Sequence, residues 1–230
     1  MTEARIHTQH PGHPAWVRIT HWVGAAAFFA LVVSGIAILL ALPRLFWGET
    51  GSNASPGWIV LPLPTNTEQT GWGRNLHFLS AWILVIAGAV YLVASVFGGR
   101  LRGRLLPERD QLRPGHILSE ARAHLRFGGS RLENANDRRY NVLQKLAYLA
   151  VIVILAPLMV LTGLTMSPGV TAAYPELFWM FGGRQSARTI HFLSACVLLA
   201  FVVVHVWQVL ANDPKALIRG MLTGRGDRRP

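Results

Sequence analysis

The stretch IHFLSACVLLAFVVVHVWQVL, residues 190–210, decides how this chain folds. It holds no Asp, Glu, Lys or Arg. A helix of about 20 apolar residues crosses the roughly 30 Å hydrocarbon core of a bilayer. Two histidines interrupt the run, His191 near its start and His205 near its end. At roughly 1.5 Å per residue they lie about 21 Å apart along the helix. The interval is close to four whole turns, so both project from almost the same face. An ionisable residue at membrane depth is costly and marks a functional position by default.

Three more stretches read the same way, at 22–42, 76–97 and 146–166, again without Asp, Glu, Lys or Arg. Helices of a soluble bundle would carry a polar stripe, and these carry none. Composition agrees. Of 230 residues, 51% are hydrophobic and 14% charged, against roughly 25% charged in soluble domains. That argues against an ordinary cytosolic enzyme and against a disordered chain. The expected fold is all-α, a four-helix transmembrane bundle forming one integral membrane domain over 1–230. The first run starts too late and is too long for a cleaved signal peptide, so it should remain as a helix. Pro157 should kink the third span.

The net charge of +11 is explained by its distribution. Of the 22 Lys and Arg residues, only Arg44, Arg74, Arg184 and Arg188 fall in the segments after spans one and three. The other eighteen lie at the two termini or in the loop 98–145. Basic residues collect on the cytoplasmic side. Both termini and the basic loop are therefore expected in the cytoplasm, in a bacterial inner (plasma) membrane, and no nucleic-acid partner is needed. Segments 43–75 and 167–189 then face outward with Trp47, Trp58, Trp72 and Trp179. These suit interfacial anchoring or a docking face for an extracytoplasmic partner. Residues 116–127 could form a short amphipathic helix on the membrane or the bundle.

Of nine histidines, His7, His10, His13, His116 and His124 lie in polar segments, and four lie at membrane depth. Depth pairs those four. His77 and His191 sit near the outer surface; His21 and His205 sit near the inner one. Two facing imidazoles in a helix bundle supply both axial ligands of a six-coordinate haem, whose porphyrin supplies the other four nitrogens. Zinc would be short of ligands. Hydrogen bonding across helices, or a proton relay, is the other reading of such histidines. The single cysteine, Cys196, excludes covalent haem attachment, an iron–sulfur cluster and a disulfide framework. Two noncovalent haem b groups stacked across the bilayer are expected.

An internal echo supports the pairing. Residues 74–81 read RNLHFLSA and residues 188–195 read RTIHFLSA, and Arg18 likewise stands three residues before His21. One helical turn separates each Arg from its His. Arg74 and Arg188 can therefore meet haem propionates at the outer site and Arg18 at the inner one, or simply reach the membrane surface. Gly24, Gly35, Gly88 and Gly163 could make room for flat macrocycles or for close helix packing.

With Thr20-His21-Trp22, the His77 segment, the His191/His205 spacing and Tyr140-Asn141-Val142-Leu143-Gln144-Lys145 before span three, the chain resembles a known family over nearly its whole length. These are the di-haem cytochrome b subunits of membrane-bound hydrogenases, formate dehydrogenases and thiosulfate-reductase-type complexes. The resemblance implies an electron-transfer subunit that relays electrons between an extracytoplasmic oxidoreductase partner and the quinone pool. It also implies an exchangeable quinone near the inner haem, beside Asn141 and Gln144; capping of the helix end is the other reading of Asn141. The long Arg-rich inner loop and the long loop after span one depart from the family and leave the partner's identity open. A stand-alone cytochrome b that oxidises superoxide or another small outer donor and reduces quinone is the alternative function. A haem-free anchor or assembly protein is a third.

Overall fold

The computed structural model describes residues 13–52, 54–98, 142–211 and 214–224, with short pieces at 106–107, 112–115 and 117–118. Among the described residues four helices are long and apolar enough to cross a membrane. The first is α1, Ala15–Ala41, and the second α2, Thr70–Phe97. The third is built in three parts: α3 (Val142–Leu149), a π-helical stretch Ala150–Leu155, and α4 (Ala156–Thr165). The fourth is α7, Arg184–Ala211. Two short helices, α5 (Pro168–Ala173) and α6 (Pro175–Met180), join α4 to α7, and α8 (Pro214–Thr223) follows.

Each helix begins before its apolar run. The starts are at residues 15, 70, 142 and 184, where hydropathy alone begins the spans at 22, 76, 146 and 190. Hydropathy reports how much chain lies in lipid, whereas a helix continues wherever its backbone hydrogen bonds continue. The added turns carry Arg18, Arg74, Lys145, Arg184 and Arg188. Pro157 lacks an N–H and crowds the carbonyl four residues earlier. The π-helical stretch ends two residues before it and absorbs that misfit.

The bundle has two ends. The loop end carries the connections 42–69 and 166–183, and the terminal end carries the starts of α1 and α3 and the ends of α2 and α7. Backbones pack closely within two hairpins, α1 on α2 and α4 on α7, and much less between them. Inside, the fully buried side chains are mostly small and hydroxylic, among them Ser34, Ser95, Thr162, Thr165, Ser186 and Thr189. Outside stand Phe29, Ile86, Phe97, Val203 and Trp207. Large apolar side chains outward and small residues at the helix contacts are the pattern of a multi-pass membrane protein.

At the loop end the chain after α1 folds back over the start of α7. Strands β1 (Arg44–Leu45) and β2 (Ile59–Val60) pair antiparallel, Arg44 opposite Val60 and Leu45 opposite Ile59. The Gly48 carbonyl accepts from the backbone N–H groups of Gln185 and Ser186 at 3.0 and 3.2 Å, and the Gly48 N–H donates to Ser186 Oγ at 2.6 Å. This exchange satisfies free groups at the start of α7. Gly183 takes φ +111°, and a Cβ there would lie 2.5 Å from the Gly48 oxygen, so only glycine fits this meeting point.

Candidate functional site

His77 and His191 each stand two turns into their helix, seven residues after Thr70 and Arg184. Their rings face one another across the gap between the hairpins, with centroids 6.2 Å apart and planes at 59°. The Ser34 hydroxyl on α1 lies 3.0 Å from His77 Nδ1, and the Thr162 hydroxyl on α4 lies 2.9 Å from His191 Nδ1. A Cβ on Gly35 would lie 3.6 Å from His77 Cε1, and one on Gly163 3.6 Å from His191 Cε1. The glycines thus bring helix backbone against both rings.

At the terminal end His21 of α1 and His205 of α7 form a second pair, with centroids 6.5 Å apart and planes at 53°. Aromatic rings frame it. Trp22 meets His21 edge-on at 5.2 Å, and Phe201 stacks on His205 at 6.2 Å with planes 14° apart. Tyr148 from α3 meets Phe201 edge-on. One turn below His205, Gln208 accepts from the Gln144 amide at 3.3 Å. Arg18 donates through Nη1 to the Leu222 carbonyl at 2.6 Å, and Trp22 Nε1 donates to the Met221 carbonyl at 3.2 Å. Both tie α8 to the start of α1.

The pairs fit a metal between them. A metal–imidazole nitrogen bond of about 2 Å on each side, plus about 1 Å from nitrogen to ring centre, sets two axial imidazole centres roughly 6 Å apart. Both pairs stand at that separation. Among the described residues no group of three or more His, Cys, Asp and Glu is assembled, so each pair needs further ligands from a cofactor. The looser packing between the hairpins is where a flat macrocycle would lie. Two buried polar atoms toward the terminal end, Arg18 Nε and Ser95 Oγ, have no hydrogen-bond partner. A propionate-bearing cofactor could satisfy such groups.

A family model described as prokaryotic cytochrome b561 matches residues 12–224. The chain belongs to that family. Membership implies b-type haem, and with it a membrane cytochrome b with an electron-transfer role. A relative from Azospira oryzae is 32% identical over 206 residues, 90% of this chain and 93% of its own length. Its provisional name is protein-methionine-sulfoxide reductase subunit YedZ1. A relative from Bradyrhizobium diazoefficiens is 24% identical over 224 residues, 92% of this chain and 83% of its own. It is provisionally named a Ni/Fe-hydrogenase B-type cytochrome subunit.

The other residues singled out from the sequence have varied surroundings. Arg188 directs its guanidinium to two loop carbonyls, Nη2 to Leu42 at 2.6 Å and Nη1 to Arg44 at 2.9 Å. Arg74 is exposed. Gln144 is paired with Gln208, which sequence reasoning missed. Asn141 lies outside the described residues, as does most of 116–127. Cys196 is free and exposed. Also missed were Ser34 and Thr162. Their signal was a hydroxyl residue directly before a glycine, Ser34-Gly35 and Thr162-Gly163, in otherwise apolar spans.

Proposed function

We propose that this family member relays electrons between an extracytoplasmic catalytic subunit and the quinone pool through two bis-His b-type haems. His77 and His191 hold one; His21 and His205 hold the other. The observation that carries this reading is the spacing of the two imidazole pairs, 6.2 and 6.5 Å between ring centres, on one shared helix.

Haem bound at each pair supplies a one-electron couple. His77 with His191, and His21 with His205, would hold a haem from both sides and leave it no open position, which would suit electron transfer and not oxygen binding. His191 and His205 keep the two sites in line about 21 Å apart along α7. Arg18 offers its buried Nε to a propionate at the terminal end; Arg74 and the remaining N–H groups of Arg188 serve the loop end. The Gln144–Gln208 amide pair beside His205 offers hydrogen bonds to quinone carbonyls, and the family resemblance adds Asn141 as a further contact. The eighteen-to-four division of basic residues supports a cytoplasmic terminal end. The exposed Trp47, Trp58 and Trp179 at the loop end then face the outer partner. The names of both relatives as oxidoreductase subunits support a catalytic partner, and that of the more similar one favours a reductase.

The test is gentle solubilisation of native membranes and isolation through a tag on this chain. The expected result is a catalytic subunit in the preparation, with haem reduced by quinol and reoxidised by the partner's substrate. A chain isolated alone that turns over superoxide with quinone would instead establish the stand-alone function.

A further inference from the structure

The hydrogen bonds at the loop-end pair fix where its protons are. The Ser34 hydroxyl lies 2.6 Å from the Ala30 carbonyl and 3.2 Å from that of Leu31. A carbonyl can only accept, so the hydroxyl hydrogen goes there. Its lone pair is left to accept from His77, and His77 Nδ1 must carry the proton. The Thr162 hydroxyl is placed the same way, 2.6 Å from the Leu158 carbonyl and 3.2 Å from that of Met159. In both rings Nε2 is therefore the bare nitrogen, the one able to bind metal.

The arrangement is duplicated. The first helix of each hairpin presents a fully buried hydroxyl followed by glycine, Ser34-Gly35 or Thr162-Gly163, to a histidine two turns into the second helix. The terminal-end pair is built differently. Among the described residues no side-chain hydrogen bond reaches the His21 or His205 ring, and beside each other these rings meet Trp22 and Phe201.

We infer that Ser34 and Thr162 are positioning residues of the loop-end haem, fixing the tautomer and orientation of its two axial histidines and strengthening their donation to ferric iron. The inference rests on the bis-His reading above. A hydrogen bond from the non-ligating N–H raises the basicity of a metal-bound imidazole, and losing such a partner typically changes metal-site properties by about tenfold or more. Stronger donation favours the ferric form, so losing a hydroxyl raises the potential of that haem alone.

The experiment compares purified holoprotein carrying Thr162→Val, Thr162→Ser, Ser34→Ala or Ser34→Thr. Haem per chain, a two-component potentiometric titration and the low-spin ferric resonance signals are measured, with His205→Ala identifying the loop-end component. Thr162→Val and Ser34→Ala should retain both haems. Each should raise the loop-end reduced-to-oxidised ratio about tenfold at fixed potential, 59 mV for a one-electron couple. They should shift that haem's resonance signal and leave the other component in place, while Thr162→Ser and Ser34→Thr behave as the parent. Loss of the loop-end haem in Thr162→Val with retention in Thr162→Ser supports the same role. Both haems retained with neither component moved, or equal loss in both Thr162 variants, overturns it. Unchanged haem content in His191→Ala would overturn the bis-His reading itself.

Discussion

The two ends of the bundle hold their histidines by opposite means. At the loop end, hydroxyls clasp His77 and His191, and the chain above them is tied down by hydrogen bonds. Arg188 binds the Leu42 and Arg44 carbonyls, the Thr189 hydroxyl donates to the Phe46 carbonyl at 2.7 Å, and Gly48 caps α7. At the terminal end, Trp22 and Phe201 lie against His21 and His205, and two side-chain bonds tie the start of α1 to carbonyls near the end of α8. A polar atom left unpaired at a dry helix contact costs free energy, and the hydroxyls of Ser34, Thr162 and Thr189 are paired there. A hydrogen-bonded end suits a permanent partner, and an end whose imidazoles lack such bonds suits the exchanging quinone proposed above.

Ligand substitutions should produce the largest effect and test whether the ends are separate sites. His191→Ala should remove only the loop-end haem and His205→Ala only the other, halving the haem content in each case. Loss of both haems from either single change would break the two-site comparison.

Quinone exchange comes next. Gln144→Ala and Gln208→Ala should each slow oxidation of the reduced protein by a quinone analogue about tenfold, equivalent to one hydrogen bond of about 1.4 kcal/mol. Thr189→Val should leave that rate unchanged. Stopped-flow visible spectroscopy reads both, and equal slowing in all three variants would place quinone exchange outside the terminal end.

The smallest effect concerns stability. Thr189→Val leaves the Phe46 carbonyl, at a buried contact, without its donor, and should lower stability by about 1–3 kcal/mol. Trp22→Phe removes one bond to an exposed carbonyl and should lower it by about 0.5–1 kcal/mol. Thermal loss of haem dichroism in detergent ranks them. A larger loss from Trp22→Phe would reverse the contrast between a tied and a loose end.

The spans and the depths of the histidines were legible in the sequence because both depend on a single helix at a time. Uncharged apolar runs reveal lipid exposure, and the interval from His191 to His205 sets depth and face without knowledge of any neighbour. The helix starts were not legible, since the turns carrying Arg18 and Arg184 are polar yet helical. Nor were the contacts that depend on which helices meet. Ser34 and Thr162 read as ordinary small residues of packed spans until α1 lies beside α2 and α4 beside α7. Arg188 reads as a membrane-edge cation until the chain after α1 turns back to place the Leu42 and Arg44 carbonyls against it. Gln208 becomes notable only when Gln144 is its neighbour.

The most direct test of the central claim is the haem content of the purified full chain, measured as pyridine haemochrome against protein determined by amino-acid analysis. Two noncovalent b-type haems per chain are expected, one for each imidazole pair. One haem per chain would contradict the two-site relay, and none would reduce both pairs to histidines that only pack.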